Sequence, residues 1–409
     1  MITNRDKKTK RPEGKRDTPH GRRVCLGVWR GLAVGLAVAG LALGGWPVGA
    51  QPASFTQGIS SLSAILYEPT TGLVLYEKDA YTPRPMASTT KLMTALVAAE
   101  MAQPEQDVVV TEEAVRVEGS ALGLRAGDHI SMKDLLTGLL LASGNDAANT
   151  VALTLCGSLP AFADRMNQKA RELGMGNSTF VTPSGLDQGE HSSSAADMAK
   201  LAAAVLQQPM LAEICAMKTA VIEMGDPKRK VTVSNHNKLL SLYQYATGMK
   251  TGFTKKSGKC LVSSAEKDGV SLVVVTLNGG DYWNDHIKLY EYGFSQLERV
   301  AFDTPELAPL PIGGGQTGQV SIETEAPPDR VMRIGERDRI TVQVELPRFS
   351  VAPISAGQVV GTVRYFLNGK ELAACPIRAG YTVEERPVSP PITRWRRWLG
   401  RLWDGLLVG

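Results

Sequence analysis

Three short elements in this chain carry side chains suited to acyl transfer, and they occur in a fixed order: Ser88-Thr-Thr-Lys91, Ser143-Gly-Asn145 and Lys250-Thr251-Gly252. The first places a hydroxyl and an amine three residues apart, so on a helix the two share a face and can touch. The second adds another hydroxyl and an amide. The third adds a cation and a hydroxyl beside a glycine, which lets a substrate approach backbone closely. Together they are the inventory for a serine ester intermediate with lysine as the proton acceptor. Ser-x-x-Lys alone is a weak signal, arising about once or twice by chance in a chain of this length. It recurs at Ser264-Ala-Glu-Lys267, inside the apparent strand that begins at Lys259, and that copy is set aside. Ser-x-Asn and Lys-Thr-Gly each occur once, so the order and separations carry the weight.

The flanking sequence says which elements must position these groups. Pro85-Met-Ala-Ser88 leads into a stretch to Glu100 that is rich in helix formers, with apolar residues at helical spacing. Ser88 therefore falls at a helix N-terminus, where free backbone N–H groups and the helix dipole favour negative charge. Such groups are suited to hold an oxyanion. Ser143 follows the apolar helical run 135–141. Lys250-Thr-Gly-Phe-Thr254 stands before a hairpin-like stretch whose second arm is 271–277. A strand edge there would present backbone to a peptide.

The 409 residues divide into a leader, two domains and a tail. Residues 51–299 mix strands and helices: a strand pair, a helical region to about 220, then returning strands. That pattern suits an α+β sheet beside a helical cluster, with the site at their junction. Residues 300–386 turn to short β-rich runs punctuated by Gly and Pro, read as a small β-sandwich acting as a stand-off. Asn368-Gly369 marks a hairpin turn there.

Both ends point to export and a membrane surface. Residues 1–23 are strongly basic, 32–43 are apolar, and Val48-Gly-Ala50 offers small residues before Gln51. This is the pattern of a signal peptide covering 1–50. The leader holds ten basic and three acidic residues, so the chain's net +4 becomes −3 for 51–409. The basic balance thus belongs to the leader, and no basic-aromatic patch of the nucleic-acid-binding kind is present. At the other end, 387–409 combines a Pro spacer with an amphipathic pattern. Ile392, Trp395, Leu399, Leu402 and Leu406 fall on one helical face, and Arg394, Arg397, Arg401 and Asp404 on the other. An interfacial membrane anchor at the outer face of the cytoplasmic membrane is the expectation. Cys156, Cys215, Cys260 and Cys375 match no metal motif. Export permits a disulfide, for instance Cys156 with Cys215, and buried free thiols are the alternative. His191 and His236 are expected in structural or substrate-shaping roles, with no cluster suggesting zinc.

With these motifs in place, the chain resembles the serine-type D-alanyl-D-alanine carboxypeptidases, low-molecular-mass penicillin-binding proteins, and is most similar to those of endospore-forming Gram-positive bacteria. The resemblance spans about 58 to about 385 and includes Tyr67-Glu-Pro-Thr-Thr-Gly, Glu172-Leu-Gly-Met, Thr182-Pro-Ser-Gly-Leu-Asp and Tyr290-Glu-Tyr-Gly-Phe294. It implies an α+β transpeptidase-type domain of the penicillin-binding-protein and β-lactamase kind, followed by the β-sandwich. It also implies roles. Ser88 attacks the carbonyl between two D-alanines of a peptidoglycan stem peptide, and Lys91, held deprotonated by burial and by Lys250, takes the proton. Ser143 relays it to the leaving D-alanine, and Asn145 holds Lys91 and the substrate amide. Lys250 and Thr251 bind the terminal carboxylate beside Gly252, and the N–H groups of Ser88 and Phe253 form the oxyanion hole. β-Lactam antibiotics would acylate the same serine, and no cofactor is implied. One departure is Tyr282, where relatives often carry an arginine; it bears on carboxylate recognition, not on the nucleophile. The alternatives are a D,D-endopeptidase, a class A β-lactamase and a catalytically weak wall-binding scaffold. The Glu-x-x-x-Asn usual in class A β-lactamases does not occur between Asn145 and Lys250.

Overall fold

The run Leu272-Val-Val-Val-Thr-Leu277 has no polar face, which suits a strand covered on both sides. In the structure, a computed structural model describing residues 55–387, it is the middle of the main sheet. The chain begins with the hairpin β1 (Ser63–Glu68) and β2 (Leu73–Lys78), followed by a 3-10 turn at Ala87–Thr90 and α1 (Lys91–Met101). Two short strands, β3 (Asp107–Val109) and β4 (His129–Ser131), precede α2 (Met132–Leu141), α3 (Asn145–Cys156) and α4 (Leu159–Glu172). Then come α5 (Ala195–Leu206), α6 (Pro209–Ala216), the hairpin β5 (Thr219–Met224) and β6 (Arg229–Ser234), and the short α7 (Leu239–Leu242). The chain returns to the sheet as β7 (Ala246–Thr254), β8 (Gly258–Lys267) and β9 (Val270–Gly279), and α8 (Tyr282–Phe294) follows.

The main sheet is antiparallel with order β2-β1-β9-β8-β7, so β7 is an edge. Its period-2 alternation divides the core in two. Val273, Val275 and Leu277 of β9 join the large cluster made with α1, α2 and α5. Leu272 and Val274 face the opposite way, onto Leu289 and Tyr290 of α8. α1 is buried along most of its length, from Lys91 to Ala98, which fixes the turn before it. The sequence reading treated the region to 220 as helical. The structure corrects it by adding a second sheet, β3-β4-β5-β6, whose first two strands are only three residues each.

The C-terminal region is β apart from a 3-10 turn at Arg337–Arg339: β10 (Leu297–Val300), β11 (Leu310–Gly313), β12 (Gln319–Val320), β13 (Ile322–Glu323), β14 (Arg330–Arg333), β15 (Ile340–Glu345), β16 (Ser350–Val351), β17 (Val359–Leu367) and β18 (Lys370–Ala379). The sheets β12-β11-β16 and β13-β18-β17-β15 share a core containing Leu310, Ile312, Val363, Tyr365 and Ile377. Asn368 and Gly369, both at positive φ, turn β17 into β18 as the Asn-Gly pair suggested. Among the described residues, no helix is long and apolar enough to cross a membrane. The expected leader 1–50 and the expected anchor at 392–409 lie outside the described residues.

Candidate active site

Ser88 sits in the 3-10 turn that runs directly into α1, and Lys91 is the first residue of that helix. The i to i+3 spacing brings Lys91 Nζ to 2.9 Å from Ser88 Oγ. Nζ is also 2.7 Å from Asn145 Oδ1 and 2.6 Å from the Ser184 carbonyl oxygen. Lys91 is fully buried. Burial drives its pKa well below the ordinary lysine value, and the Lys250 cation pushes the same way, against a smaller opposing pull from the Asp146 carboxylate. The residue before the serine, Ala87, holds φ +49, as does Ser143 at +62. Two non-glycine residues in the left-handed region thus flank the chemistry, where such strain is concentrated.

The α2–α3 junction supplies the second element. Ser143 is buried in the turn, and Asn145 opens α3. Asn145 Nδ2 donates to the Glu118 carbonyl at 2.5 Å, which leaves Oδ1 facing Lys91.

The third element lies within β7, one step more regular than the sequence reading, which placed it ahead of the hairpin. Lys250 is buried, and its Nζ donates to the Thr251 carbonyl at 3.2 Å. Burial lowers its pKa to about 8. Gly252 is a matter of space: a Cβ there would meet the Met86 carbonyl oxygen at 2.8 Å and Ser88 N at 3.1 Å. Edge strand and serine turn touch backbone to backbone. The Phe253 ring is exposed. All eight sequence-predicted residues therefore lie on the serine turn, the α2–α3 junction or β7.

Sequence reasoning missed two groups. Ser184 and Glu118 act through carbonyl oxygens, which any residue could supply. Only the surrounding Thr182-Pro-Ser-Gly-Leu-Asp segment gave a signal. His191 lies behind the serine turn: Val181 N and Thr182 N donate to Nδ1, so Nε2 donates to Thr90 Oγ1 at 2.8 Å. Burial holds it down to about 4, so the ring is neutral near neutral pH. Tyr282 starts α8 with Lys259 Nζ 5.5 Å from its ring centre. The four described cysteines are free thiols. Among the described residues, no group of three or more His, Cys, Asp or Glu is placed to hold a metal.

A serine hydroxyl on a buried lysine amine, between a helical cluster and an antiparallel sheet edge, defines a serine acyl-transfer enzyme. The sequence profile of D-alanyl-D-alanine carboxypeptidase matches residues 50–281, and that of the penicillin-binding protein 5 C-terminal domain matches 305–385. The chain belongs to the D-alanyl-D-alanine carboxypeptidase family. It is 30% identical over 328 residues to the carboxypeptidase DacF of Bacillus subtilis, covering 78% of this chain and 84% of that one. It is 29% identical to DacC of Escherichia coli, covering 93% and 95%. Penicillin-binding protein 5 of Haemophilus influenzae superposes with a TM-score of 0.60 at 27% identity, over 80% of this chain and 99% of that one. The fold is thus a peptidase domain followed by a penicillin-binding-protein C-terminal domain, and the enzyme class is D-alanyl-D-alanine carboxypeptidase.

Proposed function

We propose that Ser88 attacks the carbonyl between the last two D-alanines of a peptidoglycan stem peptide, with Lys91 as base. The observation that carries this is the set of three contacts around Lys91 Nζ. As a free amine, its two N–H bonds serve the two acceptors, Asn145 Oδ1 and the Ser184 carbonyl, and its lone pair is left for the Ser88 hydroxyl proton. As the Ser88 Oγ–carbon bond forms, Nζ takes that proton. The Ser88 and Phe253 N–H groups hold the oxyanion. Ser143 passes a proton to the departing D-alanine nitrogen as the C–N bond breaks, and water then hydrolyses the ester. Asn145 keeps one amide hydrogen free for the substrate. Lys250 and Thr251 receive the terminal carboxylate. A cavity of about 540 Å³ bounded by Glu118, Ser184, Asp187 and Thr254 offers room for the preceding part of the peptide. β-Lactams acylate the same serine.

Export and attachment to the outer face of the cytoplasmic membrane complete the reading, supported by the basic-then-apolar leader and by the Trp- and Arg-rich pattern of 392–409. Membrane fractionation of the full chain and of a chain ending at 391 tests the anchor: equal recovery with membranes would remove it.

The deciding experiment is D-alanine release from a peptide ending in D-alanyl-D-alanine, with folded Ser88→Ala as control. Release that the variant loses establishes the reaction and its nucleophile. Penicillin acylation without release points to an endopeptidase or a scaffold. Rapid turnover of penicillin points to a β-lactamase. Neither acylation nor release sinks the site.

A further inference from the structure

The residue after Ser143-Gly-Asn145 has no part in the reaction above, yet it is among the most heavily engaged groups near it. Asp146 is buried at the first turn of α3. Its carboxylate accepts from three consecutive backbone N–H groups: Leu122 at 2.7 Å, Gly123 at 2.9 Å and Leu124 at 3.1 Å. Its own helix adds Ala147 N at 2.9 Å. A carboxylate with that many N–H donors is a rigid anchor. The segment it grips is the one that grips Asn145 in return, since Asn145 N donates to the Ser120 carbonyl at 2.8 Å and Nδ2 to the Glu118 carbonyl at 2.5 Å.

Two glycines make the arrangement possible. A Cβ on Gly144 would lie 2.7 Å from Asp146 Oδ1 and 3.0 Å from Leu122 Cβ, so the middle residue of the motif is glycine because the Asp146–Leu122 contact passes over it. A Cβ on Gly119, at φ +79, would lie 3.2 Å from Asn145 Nδ2.

We infer that Asp146 is a positioning residue for acylation: by clamping residues 122–124 it holds the Glu118 carbonyl where it fixes the Asn145 amide, Oδ1 toward Lys91. An amide has two nearly isosteric faces. If the Glu118 carbonyl drifts, the amide is free to turn its NH₂ toward Lys91, which then loses an acceptor and the alignment of its lone pair. The inference rests on the reading of Lys91 as base.

Charge separates this role from a merely structural one. The charged or titratable groups that act on Lys91 are Lys250 on β7 and Asp146 on α3, and the neighbouring His191 is neutral above about 4. Asp146 favours the protonated amine. Asp146→Asn removes that influence, so Lys91 stays a free base to lower pH, and the acid limb of the acylation profile moves down. The experiment is the penicillin acylation rate of the full-length protein against pH. Asp146→Asn is expected to acylate at least about tenfold more slowly at its optimum, with the limb displaced to lower pH. Gly119→Ala perturbs the Asn145 amide without touching charge, and is expected to lose a similar factor with the limb unmoved. A folded Asp146→Asn with the wild-type rate overturns the inference. So does wild-type acylation in Gly119→Ala, which decides the matter if Asp146→Asn does not fold. An unreactive wild type would instead indict the assignment of Ser88 and Lys91.

Discussion

Replacing Gly252 by alanine adds one methyl group at the seam between β7 and the serine turn. The added Cβ would stand 2.8 Å from the Met86 carbonyl oxygen, 3.1 Å from Ala87 Cβ and 3.1 Å from Ser88 N, whereas ordinary contact begins near 3.4 Å. Two of those neighbours are backbone atoms, so they cannot rotate away. β7 and the turn must therefore separate by about 0.6 Å. That gap lies between the two proposed oxyanion donors, the N–H groups of Ser88 and Phe253. Misplacing reacting groups by about 1 Å costs about 100-fold, and losing one oxyanion donor costs about 100- to 1,000-fold. Gly252→Ala is expected to lower the acylation rate about 100-fold, equivalent to about 2.7 kcal/mol of barrier. The assay is the single-turnover acylation rate with a penicillin, checked by D-alanine release. Gly176→Ala serves as control, because a Cβ there meets nothing within 4 Å. A folded Gly252→Ala acylated within about threefold of wild type would refute the idea that this contact sets the oxyanion geometry.

Lys91→Ala should abolish acylation while leaving a folded protein, as judged by circular dichroism; a normal acylation rate would remove Lys91 as base. Lys250, with its pKa near 8, loses its positive charge as pH rises through that value. KM for a peptide with a free terminal carboxylate should therefore climb above pH 8, while an amidated analogue shows no such limb. An anion bound at Lys250 offsets the charge that depresses Lys91, so a carboxylate-bearing acylating agent should show its acid limb at higher pH than a neutral ester; identical limbs would count against the coupling. His191 and His286 are buried with pKa values lowered to about 4 and about 3, below the ordinary 6.5. A histidine depressed in the folded state supports stability above 6.5 and withdraws that support as pH falls toward the folded value. The unfolding free energy from urea titrations should fall between pH 6.5 and 4.5 by up to about 1.4 kcal/mol per pH unit for each ring, and a flat profile there would refute the burial argument.

What the sequence made legible was local. Ser88 and Lys91 meet because a helical turn brings i and i+3 together, and Asn368-Gly369 turns a hairpin because both positions need positive φ. The run 271–277 was likewise legible as the second arm of a hairpin, which it is as β9 paired with β8. The partners of Lys91 across the fold were not legible in the same way. Ser184 and Glu118 contribute carbonyl oxygens, and a backbone atom leaves no mark in residue type. The Lys-Thr-Gly segment was legible as a strand edge but not as the regular nine-residue β7, since Gly248, Lys250 and Gly252 have little β preference. Pairing with β8 makes it a strand, and that pairing is tertiary. The short β3 and β4 were lost for the same reason: three residues cannot display a period. Asp146 was in plain view beside the second motif, but nothing in its type distinguished a clamp from a solvated carboxylate until Leu122, Gly123 and Leu124 were seen to converge on it.

Two buried lysines must hold opposite states for this site to work, and the structure gives them different surroundings. Lys91 is enclosed by acceptors that a neutral amine can satisfy with two hydrogens, so deprotonation leaves no group unpaired. Lys250 has one carbonyl contact, and beneath it lies Cys215, whose burial keeps the thiol protonated by pushing it up to about 12. No thiolate therefore neutralises Lys250 at working pH, and its cation is held in reserve for an incoming carboxylate. That same unneutralised charge helps keep Lys91 free of its proton. When a carboxylate arrives, the repulsion weakens and Lys91 becomes a stronger base with the substrate in place. One uncompensated cation thus serves recognition before binding and proton transfer after it, which is why neutralising Lys250 should weaken both steps together.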